Sequence, residues 1–174
     1  VRIHGIIKHG GDSPNTVPDY ASAHLYVRAP TLPMMREHYA KVEAIVKGAE
    51  LATGARSKVT QVANTYANTI PSKTLTDVFR ENMGLTGVEY PEETEVRQSG
   101  GSTDFGNVSQ VIPALSAYIN IGPVVLHSPE GAAMTATPRA HEAMISAAKG
   151  LAYTAIDLIT RTELMKQAED EHRR

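Results

Sequence analysis

Seven histidines, no cysteine and one polar glycine-rich stretch mark where this sequence could do chemistry. His4, His9, His24, His38, His127, His141 and His172 are scattered, and no two share the i,i+4 spacing that sets a pair of imidazoles on one helix face over a metal. None opens an HxH or HxD pair. A self-contained metal centre needs three or four converging ligands, so any metal site readable here is incomplete or borrowed. The absence of cysteine removes thiolate nucleophiles, thiolate ligands and disulfides together.

His127 stands apart from the other six. It follows the apolar segment Pro123-Val124-Val125-Leu126 and precedes Ser128-Pro129, a strand-end position of the kind where α/β folds build their sites. His172 falls in a charged tail, and His38 lies between Glu37 and Tyr39 off the apolar stripe of its helix; both read as surface. His9 abuts the turn at Gly10-Gly11, and His141 sits in the first turn of a long helix, where packing or hydrogen bonding is its expected role.

Two other features admit a chemical and a plain structural reading. Asn15 and Arg28 can be a turn asparagine and a snorkelling arginine, or an amide donor and a guanidinium that forks a carboxylate. Gly100-Gly101-Ser102-Thr103 can be a flexible linker, or a nest of N–H groups and hydroxyls that grips an anion.

The elements that must position these residues are legible in outline. Residues 2–8 read as a strand ended by Gly10-Gly11. In residues 20–28, Ala21, Ala23, Leu25 and Val27 alternate with Ser22, His24, Tyr26 and Arg28, which predicts one buried and one available face. A helix from Thr31 to Gly54 comes next, with Pro33 in its first turn and the stripe Met35, Tyr39, Val42, Val46, Ala49. Residues 58–66, rich in Val and Thr, predict another strand, which makes the first 70 residues β-β-α-β. Ile70-Pro71-Ser72 is a composition break. After it come a helix over 73–83 capped by Ser72, an acidic surface loop over 89–95, a polar turn over 99–104 feeding a short helix, and a strand over 114–121. The last element is a helix from Thr137-Pro138 to about 167, with Met144, Ala148, Leu151, Ala155 and Leu158 in step and a fraying end. The fold class is therefore α+β / α/β.

Composition narrows the functions. With 17 Lys+Arg against 19 Asp+Glu the net charge is −2, which argues against a nucleic-acid surface. No apolar run approaches the roughly 20 residues of a membrane span. Hydrophobic residues make up 41%, and with two Phe and no Trp the core must be mostly aliphatic.

Read in order, Arg2-Ile3-His4-Gly5-Ile6-Ile7, Ser13-Pro14-Asn15-Thr16-Val17-Pro18-Asp19, Leu25-Tyr26-Val27-Arg28-Ala29, Gly100-Gly101-Ser102-Thr103-Asp104-Phe105 and Leu126-His127-Ser128-Pro129 resemble one family. The series is similar to the C-terminal half of M20-type metallopeptidases and amidohydrolases, nearest the aminobenzoyl-glutamate hydrolase-like branch. That resemblance implies a catalytic α/β domain with two divalent metals, typically zinc, interrupted by a smaller α+β lid that often dimerises. Residues 1–70 then correspond to the later part of a ferredoxin-like lid, and 71–174 to the C-terminal part of the catalytic domain.

By the same resemblance His127 is a metal ligand, and Asn15, Arg28, Gly100, Gly101, Ser102 and Thr103 bind the substrate's carboxylate end. The implied substrates are N-acyl-amino acids or dipeptides. The family's other ligands and its general base precede the matched region. The expectation is a fragment of a metal-dependent amide hydrolase, inactive alone, cytoplasmic and homodimeric through its lid. The alternative is a non-catalytic dimerisation and carboxylate-binding module.

Overall fold

The computed structural model describes residues 1–88, 101–123 and 125–173. The architecture is α+β, with β1 (Arg2–His9), β2 (Ser22–Arg28), α1 (Leu32–Thr53), α2 (Lys73–Gly84), α3 (Phe105–Ser109), α4 (Pro129–Met134), α5 (Pro138–Thr160) and α6 (Thr162–His172). The chain forms two compact units, Val1–Asn68 and Thr69–Arg174.

In the first unit β1 and β2 make an antiparallel ribbon with Arg2 opposite Arg28, His4 opposite Tyr26 and Ile6 opposite His24 on one face. Ile3–Val27, Gly5–Leu25 and Ile7–Ala23 share the other face, because directly opposed residues of an antiparallel pair project to the same side. At Gly5 the strands leave no room for a side chain: a Cβ there would lie 2.1 Å from the His24 carbonyl oxygen. Helix α1 has the expected ends. Thr31 Oγ1 accepts the Met34 N–H, Pro33 stands in the first turn, and Gly54, at φ 75°, donates its N–H back to the Glu50 carbonyl at 2.8 Å. Met35, Tyr39, Val42 and Val46 are half-buried as the periodicity requires, whereas Ala49 is exposed.

Two expectations for this unit fail. No strand forms over 58–66, so the unit is β-β-α ending in irregular chain rather than β-β-α-β. A strand exists only through ladder bonds to a neighbour, and among the described residues β1 and β2 pair only with each other. Local bonds hold the 55–68 stretch instead. Glu50 accepts the Ser57 N–H while paired with Lys47, contacts that lower its carboxyl to about 2, and Asn68 Oδ1 accepts the Leu32 N–H at 3.0 Å. The predicted buried face of β2 is also uncovered: Ala23 and Leu25 are exposed.

The second unit has a true core. Ser72 caps α2 through the Leu75 N–H, and α2 buries Leu75, Val78, Phe79 and Met83. These large side chains are received by small residues on α5. Gly150 is buried, and a Cβ on it would stand 2.5 Å from Met83 Sδ and 3.2 Å from Phe79 Cε2. This overturns the predicted α5 stripe. Ala140, Gly150 and Thr154 face inward, while Met144, Ala148, Leu151 and Ala155 are exposed and only Leu158 is half-buried. Periodicity finds the largest apolar stripe, but bulky residues on the partner helix select the smallest one.

The predicted single helix to about 167 breaks at Arg161, whose φ −115° and ψ 77° are not helical. The chain beyond that break does not fray. Helix α6 buries Leu164 and Ala168, and His172, expected at the surface, is half-buried beside Ser72 and Glu171. Over 114–121 no ladder forms, yet the predicted alternation survives as burial. Ala114 is buried and Leu115, Ala117, Ile119 and Ile121 are half-buried, between exposed Ser116, Tyr118 and Asn120. The acidic stretch 89–95 and Gly100 lie outside the described residues. Among those described, no helix is long and apolar enough to cross a membrane.

Candidate functional site

His127 comes after the exposed residues Val125 and Leu126, which form no strand, so the expected strand-end position is not observed; Ser128 separates it from α4. Ser128 fixes the junction twice. Its hydroxyl donates to the Val125 carbonyl at 2.9 Å and accepts the Gly131 N–H at 2.9 Å, with Pro129 starting the helix. The chain reaches that cap through a left-handed His127, φ 61°, the sole non-glycine with positive φ among the described residues. An L-residue there costs free energy that surrounding contacts must offset, and such residues concentrate at functional positions. The imidazole is solvent-exposed on a locally fixed backbone.

Gly101, Ser102 and Thr103 are exposed just ahead of α3. Thr103 turns inward to its own helix: its Oγ1 accepts the Phe105 N–H at 3.3 Å and its carbonyl accepts the Gly106 N–H at 3.3 Å. Ser109, at the far end of α3, is fully buried; its hydroxyl donates to the Gly106 carbonyl and accepts the Ile70 N–H at 2.9 Å.

In the first unit Asn15 lies in an exposed turn, where its Oδ1 accepts the Ser13 hydroxyl and Thr16 N–H closes on the Ser13 carbonyl. The carboxamide oxygen is thereby committed locally. Arg28 ends β2 with its guanidinium 6.0 Å from the centre of the Tyr26 ring, the outer limit of a cation–π contact. Tyr26 in turn lies 5.8 Å from the His4 ring and 5.2 Å from the His24 ring. Arg28 is thus part of a cationic and aromatic face, Arg2, His4, His24, Tyr26 and Arg28, which sequence reasoning did not assemble. The alternation of His24, Tyr26 and Arg28 was readable; the register that adds His4 and Arg2 was not. Asn15 and Arg28 belong to one unit, and Gly101, Ser102, Thr103 and His127 to the other.

The second unit also holds polar contacts that sequence reasoning missed. Glu171 of α6 accepts the Lys73 N–H at 2.7 Å, the Thr74 N–H at 3.0 Å and the Ser72 hydroxyl at 3.3 Å, clasping the N-terminus of α2. Burial pushes its carboxyl up, but the bonds from Thr74, Lys73 and Ser72 outweigh that and hold it below its ordinary value. Buried Asn82 donates to Asp157 Oδ2 at 2.7 Å, which ties α2 to α5. These groups fasten helices to one another.

The described residues do not by themselves assemble a metal centre. Among the described residues no three His, Asp or Glu side chains gather closely enough to hold an ion, so His127 offers at most one ligand.

No family model matches the chain. It is 36% identical over 172 residues to the Xaa-Arg dipeptidase of Homo sapiens and 38% identical over 172 residues to that of Mus musculus. The likeness is to dipeptidases. It takes in 98% of this chain but 39% and 40% of those two proteins, so the chain spans about two fifths of the length of the curated relatives it matches.

Proposed function

We propose that this sequence belongs to a hydrolase of dipeptides, in which it supplies the grip on the substrate's free carboxylate and one histidine of the reaction centre. The observation that carries the reading is the 36–38% identity to Xaa-Arg dipeptidases along nearly the whole chain. It shifts the substrate from an aminobenzoyl-glutamate type toward a dipeptide, with C-terminal arginine the first to try.

Arg28 is the carboxylate clamp, because a guanidinium fork matches two carboxylate oxygens. Asn15 serves the same carboxylate-binding role in the first unit, and in the second Gly100, Gly101, Ser102 and Thr103 form a carboxylate-binding loop. His127, held by the Ser128 cap, is the metal ligand in a centre of two divalent ions, preferably zinc, whose remaining ligands and proton-shuttling acid come from elsewhere in the polypeptide. The same reading takes residues 1–70 as lid and dimer-forming surface, and 71–174 as part of the catalytic domain, in a cytoplasmic homodimer.

The test is arginine release from Xaa-Arg dipeptides by the intact polypeptide carrying this sequence. Arg28→Lys is expected to raise KM or lower kcat/KM, and unchanged kinetics would remove the clamp. His127→Ala is expected to lower metal occupancy, and full stoichiometry would strike it from the ligands. A non-catalytic carboxylate-binding module is the second reading, favoured by the lack of any three-ligand cluster among the described residues. Metal-dependent turnover in the intact protein would dispose of it.

A further inference from the structure

Left-handed His127 stands third in the four residues, Val125 to Ser128, that lead into α4. A turn with a left-handed third residue ordinarily takes glycine or asparagine there, because a Cβ crowds the following carbonyl. Histidine does not favour that conformation by itself, so a neighbour must impose it. Ser128 is built to do so. Its backbone is extended, at φ −121° and ψ 158°, the region to which the following Pro129 confines it. Its carbonyl accepts the Ala132 N–H at 3.0 Å and its hydroxyl the Gly131 N–H at 2.9 Å, which anchors it to α4. The same hydroxyl donates to the Val125 carbonyl at 2.9 Å, drawing the chain back across His127. A hydroxyl has one proton and two lone pairs, so Ser128 can hold both ends of the turn at once.

We infer that Ser128 is a positioning residue for His127: its hydroxyl keeps residue 127 left-handed and so fixes the direction in which the Cα–Cβ bond carrying the imidazole leaves the chain. The inference rests on the reading of His127 as a ligand and adds the device that presents it. The two bonds of the hydroxyl have separable roles. The one from Gly131 caps α4, and the one to Val125 sets the turn. Loss of a group that orients a ligand without touching the ion weakens metal binding by about 10- to 100-fold.

The experiment compares Ser128→Thr, Ser128→Asp and Ser128→Ala in the intact polypeptide carrying this sequence. Crystal structures give the φ of residue 127, and chelator competition gives the zinc dissociation constant. Ser128→Thr keeps donor and acceptor and should leave both values as in wild type. Ser128→Asp brings an acceptor only, so it should keep the α4 cap yet let residue 127 relax to negative φ. Ser128→Ala should relax it too and raise the zinc dissociation constant about tenfold. A positive φ retained in both the Asp and the Ala variants overturns the inference. So does wild-type zinc affinity in Ser128→Ala where His127→Ala has lowered it. Unfolding supplies a readout independent of metal. In the metal-free protein His127→Gly should be more stable than His127→Ala by about two- to fivefold in the unfolding equilibrium constant, and equal stabilities would show that the turn holds no strain. The ligand reading fails separately: if His127→Ala binds zinc as wild type does while Ser128→Asp still releases residue 127, the turn lock stands and only the ligand assignment is lost.

Discussion

Within Val1–Asn68 no side chain is fully shielded from water, whereas Thr69–Arg174 closes Phe79, Met83 and Ser109 off almost completely. The first unit is a two-stranded ribbon and a helix with good caps, and Ile3, Ile6, Ile7 and Leu25 remain in contact with solvent. A ribbon of two strands is marginal by itself. Its order rests on ladder bonds, on the Thr31 and Gly54 caps and on side-chain bonds such as Asn68 to Leu32. The second unit is ordered by packing across helices distant in sequence. The same chain thus contains one region governed by local signals and one governed by a core, and substitutions should sort accordingly.

The largest expected effect is Phe79→Ala. Emptying the space between α2 and Gly150 should cost about 3–5 kcal/mol, read as a lower denaturation midpoint for the second unit. Amide shifts of the β1–β2 ribbon should stay put; if they collapse too, the two regions are not energetically separate. Next is Gly5→Ala, whose methyl group meets the His24 carbonyl. Overpacking of this kind costs about 1–3 kcal/mol, enough to open a ribbon without a core. Hydrogen exchange should accelerate in β1 and β2 and remain slow in α2.

Glu171→Gln should destabilise the second unit by about 1 kcal/mol at pH 7, the usual worth of a helix cap. The folded carboxyl sits below its ordinary 4.5, so its contribution is complete above that value and disappears as the pH falls through the lower folded value. Wild type and variant should therefore converge in acid; a constant gap would show that the charge does not matter. Smallest is Thr31→Ala, at about 0.5 kcal/mol for an exposed cap, seen as fraying of the first turn of α1 by circular dichroism or exchange.

Legibility from sequence divides along the same line. Helix α1 was legible end to end because Thr31, Pro33 and Gly54 act on their own neighbours. Helix α2 was legible for the same reason, through Ser72. Residues 58–66 misled, since Val and Thr describe a taste for strands but supply no neighbour to pair with. The inward side of α5 was missed because Gly150 and Thr154 are chosen by Phe79, Met83 and Asn82, which lies 72 residues from Thr154. At the candidate site, the types and order of Arg28 and His127 were visible. The left-handed backbone of His127 and the crowd of rings around Tyr26 were not, because both depend on partners set by folding.

The clasp of Glu171 on residues 72–74 bridges 98 residues at Lys73. During synthesis α2 emerges long before its clasp exists, and the ribosome must add nearly all of the second unit before the leading N–H groups of that helix are fully satisfied. Maturation of this region is consequently a late event, with the growing chain dependent on its own transient helices, or on chaperones, to keep Phe79 and Met83 from sticking to something else.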